Sequence, residues 1–139
     1  MMFFLIGLLF FSHFNYGQKV GEIINGTPII TVDKSKLIAI YENNLLEYGG
    51  IEANFLNVEI RNIENEYNLI FIGSNIKSSL FINNESGNLI VDGKISCTTS
   101  ECSSENLGCS PRPLSGGCFP CNNNGNCSKT VTDGFSLIE

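Results

Sequence analysis

Six cysteines constrain the folding of this chain more than any other feature, because all of them lie between residues 97 and 127. Their spacing is C-x4-C-x6-C-x8-C-x2-C-x5-C, with serine, asparagine, glycine and proline prominent among the intervening residues. Only Leu107, Leu114 and Phe119 offer large apolar side chains that can pack there. Such a stretch cannot bury enough apolar surface to offset a backbone ordering cost of about 1–2 kcal/mol per residue. We therefore expect covalent crosslinks to hold it in one conformation.

Residues 1–18 predict a secretory signal peptide. An uncharged apolar run from Met1 to Phe11 is shorter than the ~20 residues that a membrane-spanning helix needs. A more polar stretch up to Gln18 follows it, as in a cleavage region. Gly17 is the small residue best placed for cleavage, so we expect the mature chain to begin at Gln18 or Lys19 and to have no stable membrane span.

Export removes the single histidine, His13. Without imidazole, the mature chain lacks Ser–His–Asp and Cys–His catalysis, histidine-ligated zinc and histidine pH switching. The sequence also contains no phosphate-binding loop and no recognisable nucleophile motif. We therefore predict a protein that is not an enzyme, with no catalytic residues and no cofactor.

An even number of cysteines behind an export signal predicts three disulfides, each stabilising by about 2–4 kcal/mol. Six cysteines allow about fifteen pairings, and the sequence does not choose among them. Because Cys97 ends the last predicted strand, at least one bridge is expected to join the tail to the sheet. The candidate residues are Cys97, Cys102, Cys109, Cys118, Cys121 and Cys127.

Two alternatives remain for these cysteines. Cys118 and Cys121 form a C-x-P-C motif like that of thioredoxin-type redox sites, although the asparagine-rich residues 122–124 are a poor helix start for lowering a thiol pKa. The same pair could join two other cysteines around zinc, but only this pair has the close spacing of structural zinc ligands. Structural disulfides are the preferred interpretation, and no metal site is predicted.

Residues 19–96 predict an α+β domain. Asp33 suits a helix N-cap, apolar residues at 3–4 spacing follow over 34–48, and Gly49-Gly50 ends the helix. Val20 to Val32 is expected to be an extended segment or a loose hairpin, since Asn25-Gly26 favours a tight turn.

Strands are expected at 56–61, 67–72, 79–82, 89–91 and 94–98, with a polar turn at Glu64-Asn65-Glu66 and Asp92-Gly93 as a hairpin signal between the last two strands. In the first of these strands, the alternation of Leu56, Val58 and Ile60 with polar residues places the three apolar side chains on the buried face. Tyr41, Tyr48, Phe55 and Phe71 are expected in the core.

The expected fold is one amphipathic helix packed on a four- to five-stranded antiparallel sheet. This order of elements is similar to that of cystatin-like folds. A disulfide-stapled, loop-rich tail follows it. The predicted organisation is therefore a signal peptide at 1–18, an α+β domain at 19–96 and a cysteine-rich segment at 97–139.

The charge balance limits the partners. Fourteen acidic against eight basic residues give a net charge of −6, and the basic residues do not cluster. This balance argues against nucleic acid and against anionic membranes. A protein or another cell-surface component is the expected partner.

The cysteine tail carries a resemblance. The blocks ISCTTSECSS (95–104), GCSPR (108–112), GGCFPC (116–121) and NCSKT (126–130) look like those of small exported proteins from Bacteroidetes-type bacteria. A signal ending in Gly-Gln and a high isoleucine and asparagine content fit this resemblance. The resemblance implies no specific activity and transfers no catalytic residue.

Three functions are compatible with the sequence. The first is a secreted, periplasmic or cell-envelope module that binds or inhibits a partner without catalysis, because small stapled domains commonly act through exposed loops. The second is a structural or accessory protein of the envelope or matrix. The third is a thiol–disulfide redox protein that uses Cys118 and Cys121.

Titration of thiols tests the disulfide framework. We expect the native protein to show no reactive thiol before reduction and six after reduction in denaturant. More than one reactive thiol per native chain would contradict a framework of three bridges.

Overall fold

Residues 18–91, 94–112 and 114–131 are described by the computed structural model of the chain. Most of the predicted signal peptide lies outside these ranges, as does the Asp92-Gly93 hairpin signal. The described elements are β1 (Gln18–Ile24), β2 (Thr27–Ile30), α1 (Lys34–Gly49), β3 (Phe55–Ile63), β4 (Glu66–Gly73), β5 (Lys77–Glu85), β6 (Asn88–Val91), β7 (Ile95–Thr99) and β8 (Ser128–Val131).

Tight turns connect the antiparallel neighbours. The β1–β2 turn uses Asn25 and Gly26, with φ angles of 51° and 79°. The β3–β4 turn uses Glu64 and Asn65, also at positive φ. Two positive φ angles match the twist of the flanking strands, which explains why asparagine and glycine are favoured in such turns.

The helix begins and ends where the sequence predicts. The Asp33 carboxylate accepts a hydrogen bond from the Lys36 backbone N–H at 2.9 Å, which satisfies one of the unpaired donors at the helix N-terminus. At the other end, Gly50 adopts the left-handed conformation at a φ of 64°. Glycine accepts this conformation without a Cβ clash.

The strands form one curled antiparallel sheet. Its main path runs β2-β1-β6-β5-β4-β3, and β2 contacts β3, so these six strands make a nearly closed barrel. Where the barrel curls, a Cβ on Gly21 would lie 2.3 Å from the carbonyl oxygen of Ile29 and 3.3 Å from Cδ1 of Ile60. Glycine therefore permits the close approach of β1 to the backbone of β2 and to the Ile60 side chain of β3.

Strand β5 organises the rest of the sheet. Its first half pairs with β7 and its second half with β6 on the same edge, while β4 occupies the other edge. Strand β8 then pairs with β7. Strands β6 and β7 therefore do not form the hairpin that the sequence predicts, because β5 is long enough to pair with both.

The predicted fold of one helix on a four- to five-stranded sheet with cystatin-like order is wrong. The described residues contain eight strands in a barrel-like sheet. The β1–β2 hairpin pairs with β6, which lies far away in the chain, and β8 comes from the cysteine-rich segment. Such long-range pairings leave no local pattern in the sequence. Only the broad prediction of an α+β protein, with one helix and antiparallel strands, agrees roughly with the structure.

An aromatic cluster forms the core between the helix and the sheet. Tyr41 stacks on Phe71 with ring centroids 3.9 Å apart, and Phe55 packs against both. Tyr41 also shares a 2.6 Å hydrogen bond with Ser78 Oγ. Burial raises the pKa of the Tyr41 hydroxyl to about 12, since the charged form would lose its hydration. Tyr48, expected in the core, is half exposed instead.

A bulge in β3 reverses another expectation. The register shifts between Phe55 and Asn57, so Phe55 is buried and Leu56 is 69% exposed. An extra residue in one strand rotates the side chains before it to the opposite face. The period-two alternation in the sequence predicts a buried Leu56, and this prediction is wrong because of the bulge.

Strands β5 and β7 are buried on both faces. Ser78 and Thr98 face the helix, and their hydroxyls share a 2.6 Å hydrogen bond. On the opposite face, here called the outer face, Lys77, Ser79 and Cys97 are equally buried. Residues 100–112 and 114–127, here called the cysteine layer, cover this outer face, since they contact Lys77, Thr99 and Cys97 on it. The domain therefore has three layers at this point: helix, sheet and cysteine layer.

Tyr41→Phe tests the buried hydrogen bond between helix and sheet. We expect a loss of about 1 kcal/mol in the free energy of unfolding, because the ring stacking stays and the bond to Ser78 is lost. Urea unfolding measures it, with Tyr48→Phe on the exposed helix surface as the matched control. Equal effects of the two substitutions would contradict the role of the Tyr41 hydroxyl.

Candidate binding site

All six cysteines lie in the described ranges and form three disulfides, Cys97–Cys118, Cys102–Cys121 and Cys109–Cys127. The prediction of three disulfides is thereby confirmed. Cys97 lies in β7, so one bridge does join the cysteine layer to the sheet. Three bridges in so small a protein indicate an oxidising compartment.

The two halves of the C-x-P-C motif are bonded to different partners. Cys118 pairs with Cys97 and Cys121 with Cys102, so no bond joins the two cysteines of the motif. Two clusters bring cysteine sulfurs together at metal-like distances, one of them with the Glu105 carboxylate. Because metal ligation requires thiolates, the disulfide-bonded sulfurs in these clusters are not available as ligands.

A buried lysine fixes the cysteine layer to the outer face. Lys77 is 1% exposed, and its ammonium donates hydrogen bonds to the backbone carbonyls of Glu105 and Gly108, the latter at 2.7 Å. Burial lowers the pKa of Lys77 to about 8; the nearby Arg61 charge lowers it further and Glu105 raises it. Nothing in the sequence distinguishes this lysine from one at a solvated strand end.

Thr99 makes a second contact between sheet and cysteine layer. Its hydroxyl donates to the Asn126 carbonyl at 2.7 Å and accepts from the backbone N–H groups of Glu101 and Cys102. Lys77 and Thr99 are paired neighbours on β5 and β7. Together they bind one end of the cysteine layer by hydrogen bonds to backbone groups of a segment that lies outside the helix and strands.

The other end of the layer is a small hairpin formed by residues 109–112 and 114–119, here called the stapled hairpin. The Cys109 N–H donates to the Phe119 carbonyl at 2.9 Å, and the Phe119 N–H donates to the Ser110 carbonyl at 2.8 Å. Nearer the tip, the Arg112 N–H donates to the Gly117 carbonyl. Disulfides fix both arms, through Cys109 on one arm and Cys118 on the other.

An open groove of about 650 Å³ lies between the stapled hairpin and the sheet, and is called the stapled groove below. The Arg112 guanidinium lies 4.6 Å from the centre of the Phe119 ring, within the range of cation–π attraction. Leu114 is fully exposed, although the sequence suggests that it packs. The groove is lined by Glu66, Phe81 and Asn83 from the sheet and by Arg112, Leu114, Ser115 and Phe119 from the hairpin.

A second, smaller groove of about 460 Å³ lies beside the C-terminal half of α1. Glu42 is one of its lining residues, and its carboxylate accepts a hydrogen bond from the Phe55 backbone N–H at 2.9 Å. That carboxylate therefore caps the start of β3. The stapled groove combines aromatic walls with an exposed leucine and charges of both signs, so it is the stronger candidate for binding.

Comparison of the chain with protein-family models, with curated proteins and with solved structures finds no match. The resemblance to exported Bacteroidetes-type proteins therefore stays a prediction. Within the part of the chain that the structure describes, no helix is both long and apolar enough to cross a bilayer.

The pH dependence of stability tests the burial of Lys77. Its folded pKa of about 8 lies below the ordinary value of 10.5, so the folded state binds fewer protons between these values and stability rises with pH there. Relative to Lys77→Met, we expect the wild-type free energy of unfolding to rise by about 1–2 kcal/mol between pH 7.5 and 9.5.

Urea unfolding at both pH values measures this difference, and the exposed Lys129→Met serves as the control. Lys129→Met should follow the wild-type pH profile. A constant difference between wild type and Lys77→Met across this range would show that Lys77 is not buried as described.

Proposed function

We propose that this protein is an exported binding module that recognises a protein or another cell-surface component through the stapled groove. The observation that carries the proposal is Leu114, a fully exposed leucine held on a hairpin whose two arms are each fixed by a disulfide. A rigid loop loses little conformational entropy on binding, so an apolar side chain presented on it contributes more affinity.

The chemistry of the groove supports recognition of a protein surface. Phe81 and Phe119 supply aromatic walls, and Arg112 stacks on one of them. Aromatic residues and arginine are enriched among the residues that dominate binding energy at protein interfaces. Glu66 and Arg112 bring opposite charges to the same groove, which can fix the orientation of a bound segment.

Three disulfides are consistent with a secreted, periplasmic or cell-envelope location, where an exposed binding groove meets its partner. A structural or accessory role in the envelope or matrix is the competing function. Inhibition of a protease, one specific form of the binding function, was supported only by the cystatin-like order of elements. The barrel-like sheet removes that support.

Site-specific photocrosslinking tests the proposal. A photoreactive phenylalanine derivative replaces Leu114, and the protein is irradiated with secreted and envelope fractions of the producing cells. The matched control carries the same group at Leu56, which is also exposed but lies in β3. We expect discrete crosslinked species from position 114 only.

Competition decides whether that crosslink is specific. Excess unlabelled wild-type protein should suppress the species, and an equal excess of Leu114→Asp should suppress it at least about tenfold less well, since an aspartate would lose the apolar contact. Leu56→Asp should compete like wild type. Equal competition by both variants, or no crosslink at all, would favour the structural or accessory role.

A further inference from the structure

The stapled groove is assembled from two parts of the chain that do not share a core. One wall comes from β4 and β5, whose inner faces belong to the aromatic core. The other comes from the stapled hairpin, whose neighbouring buried cluster consists of cysteines. The groove therefore exists only while the hairpin is held against the sheet.

The three disulfides differ in their accessibility. Cys102 and Cys121 are 2% and 4% exposed, so both ends of their bridge are buried. In the other two bridges one cysteine is buried, and its partner, Cys118 or Cys127, is only partly buried. Thiol–disulfide exchange requires a thiolate to reach one sulfur of the bridge. Access therefore favours reduction of the two bridges that hold the hairpin.

The rest of the cysteine layer has other attachments. Lys77 binds the carbonyls of Glu105 and Gly108, and Thr99 binds Asn126, Glu101 and Cys102. The buried Cys102–Cys121 bridge lies in the same region. These contacts do not involve the tip of the hairpin, where the groove residues Arg112 and Leu114 lie.

We propose that the stapled groove is under redox control: reduction of Cys97–Cys118 and Cys109–Cys127 by a dithiol releases the hairpin, while Cys102–Cys121 and the barrel stay intact. The inference rests on the proposed function, since it concerns the regulation of the same groove. The oxidised protein binds through the groove, and the partly reduced protein does not.

The exchange follows ordinary disulfide chemistry. A thiolate of the dithiol attacks the more accessible sulfur, and the buried cysteine leaves and takes up a proton. The second thiol of the reductant then resolves the mixed disulfide and releases the second cysteine as a thiol. Each bridge gains two electrons and two protons, and one dithiol becomes one cyclic disulfide. Opening both bridges therefore consumes two dithiols per chain.

Timed reduction of the native wild-type protein tests the order of opening. The protein is treated with dithiothreitol, quenched with iodoacetamide at intervals, and its alkylated cysteines are located by mass spectrometry. We expect Cys97, Cys118, Cys109 and Cys127 to be alkylated at least about tenfold faster than Cys102 and Cys121, since access governs the rate.

Hydrogen exchange of the same samples shows what the reduction releases. Backbone amides of residues 109–119 should lose protection when four cysteines are alkylated, while amides of β1, β4 and β6 keep it. Simultaneous opening of all three bridges, or loss of protection in the barrel together with the hairpin, would overturn the proposal.

The photocrosslink from position 114 tests both proposals and shows which of the two is wrong if one of them fails. It should disappear from the four-cysteine-alkylated protein if the groove is redox-controlled. A crosslink that survives this treatment refutes redox control and leaves the binding function standing. The absence of a crosslink in oxidised protein refutes the binding function, while the alkylation order and hydrogen exchange still decide whether the hairpin is released by reduction.

Discussion

The architecture depends on covering the outer face of β5 and β7 with a segment that has no apolar core of its own. Hydrophobic burial cannot hold this cysteine layer, so disulfides, a buried ammonium and a threonine hydroxyl hold it instead. This arrangement explains the composition of the two strands. Both of their faces are buried, yet the covered side carries the polar residues Lys77, Ser79 and Thr99. Lys77 and Thr99 donate hydrogen bonds to backbone carbonyls of the layer, and the small Ser79 is fully buried.

Local signals in the sequence predict local structure well. Asp33 and Gly50 bound the helix, and Asn25-Gly26 and Glu64-Asn65 form the turns, because each of these features depends on a few neighbouring residues. The cysteine content predicts three bridges for a different reason: it reflects the compartment and the lack of an apolar core. No local signal in the sequence specifies which cysteines pair, because the pairing depends on which cysteines the folded chain brings together.

The features that escape prediction are those set by distant parts of the chain. Pairing of β1 with β6, and of β8 with β7, converts a small sheet into a nearly closed barrel, and neither pairing has a local pattern. The same holds for the groove. Leu114 lies in the one segment where apolar residues are scarce, and only the opposing Phe81 wall, contributed by β5, makes its exposure a candidate for recognition.

The three disulfide loops overlap, because Cys97, Cys102 and Cys109 all precede their partners Cys118, Cys121 and Cys127. Every loop therefore contains the stretch between Cys109 and Cys118, and a proteolytic cut there leaves the two fragments joined by three covalent bonds. In an environment rich in proteases, the chain can thus be cut in this loop, which carries the fully exposed Leu114, while the carboxy-terminal fragment with β8 stays attached to the sheet.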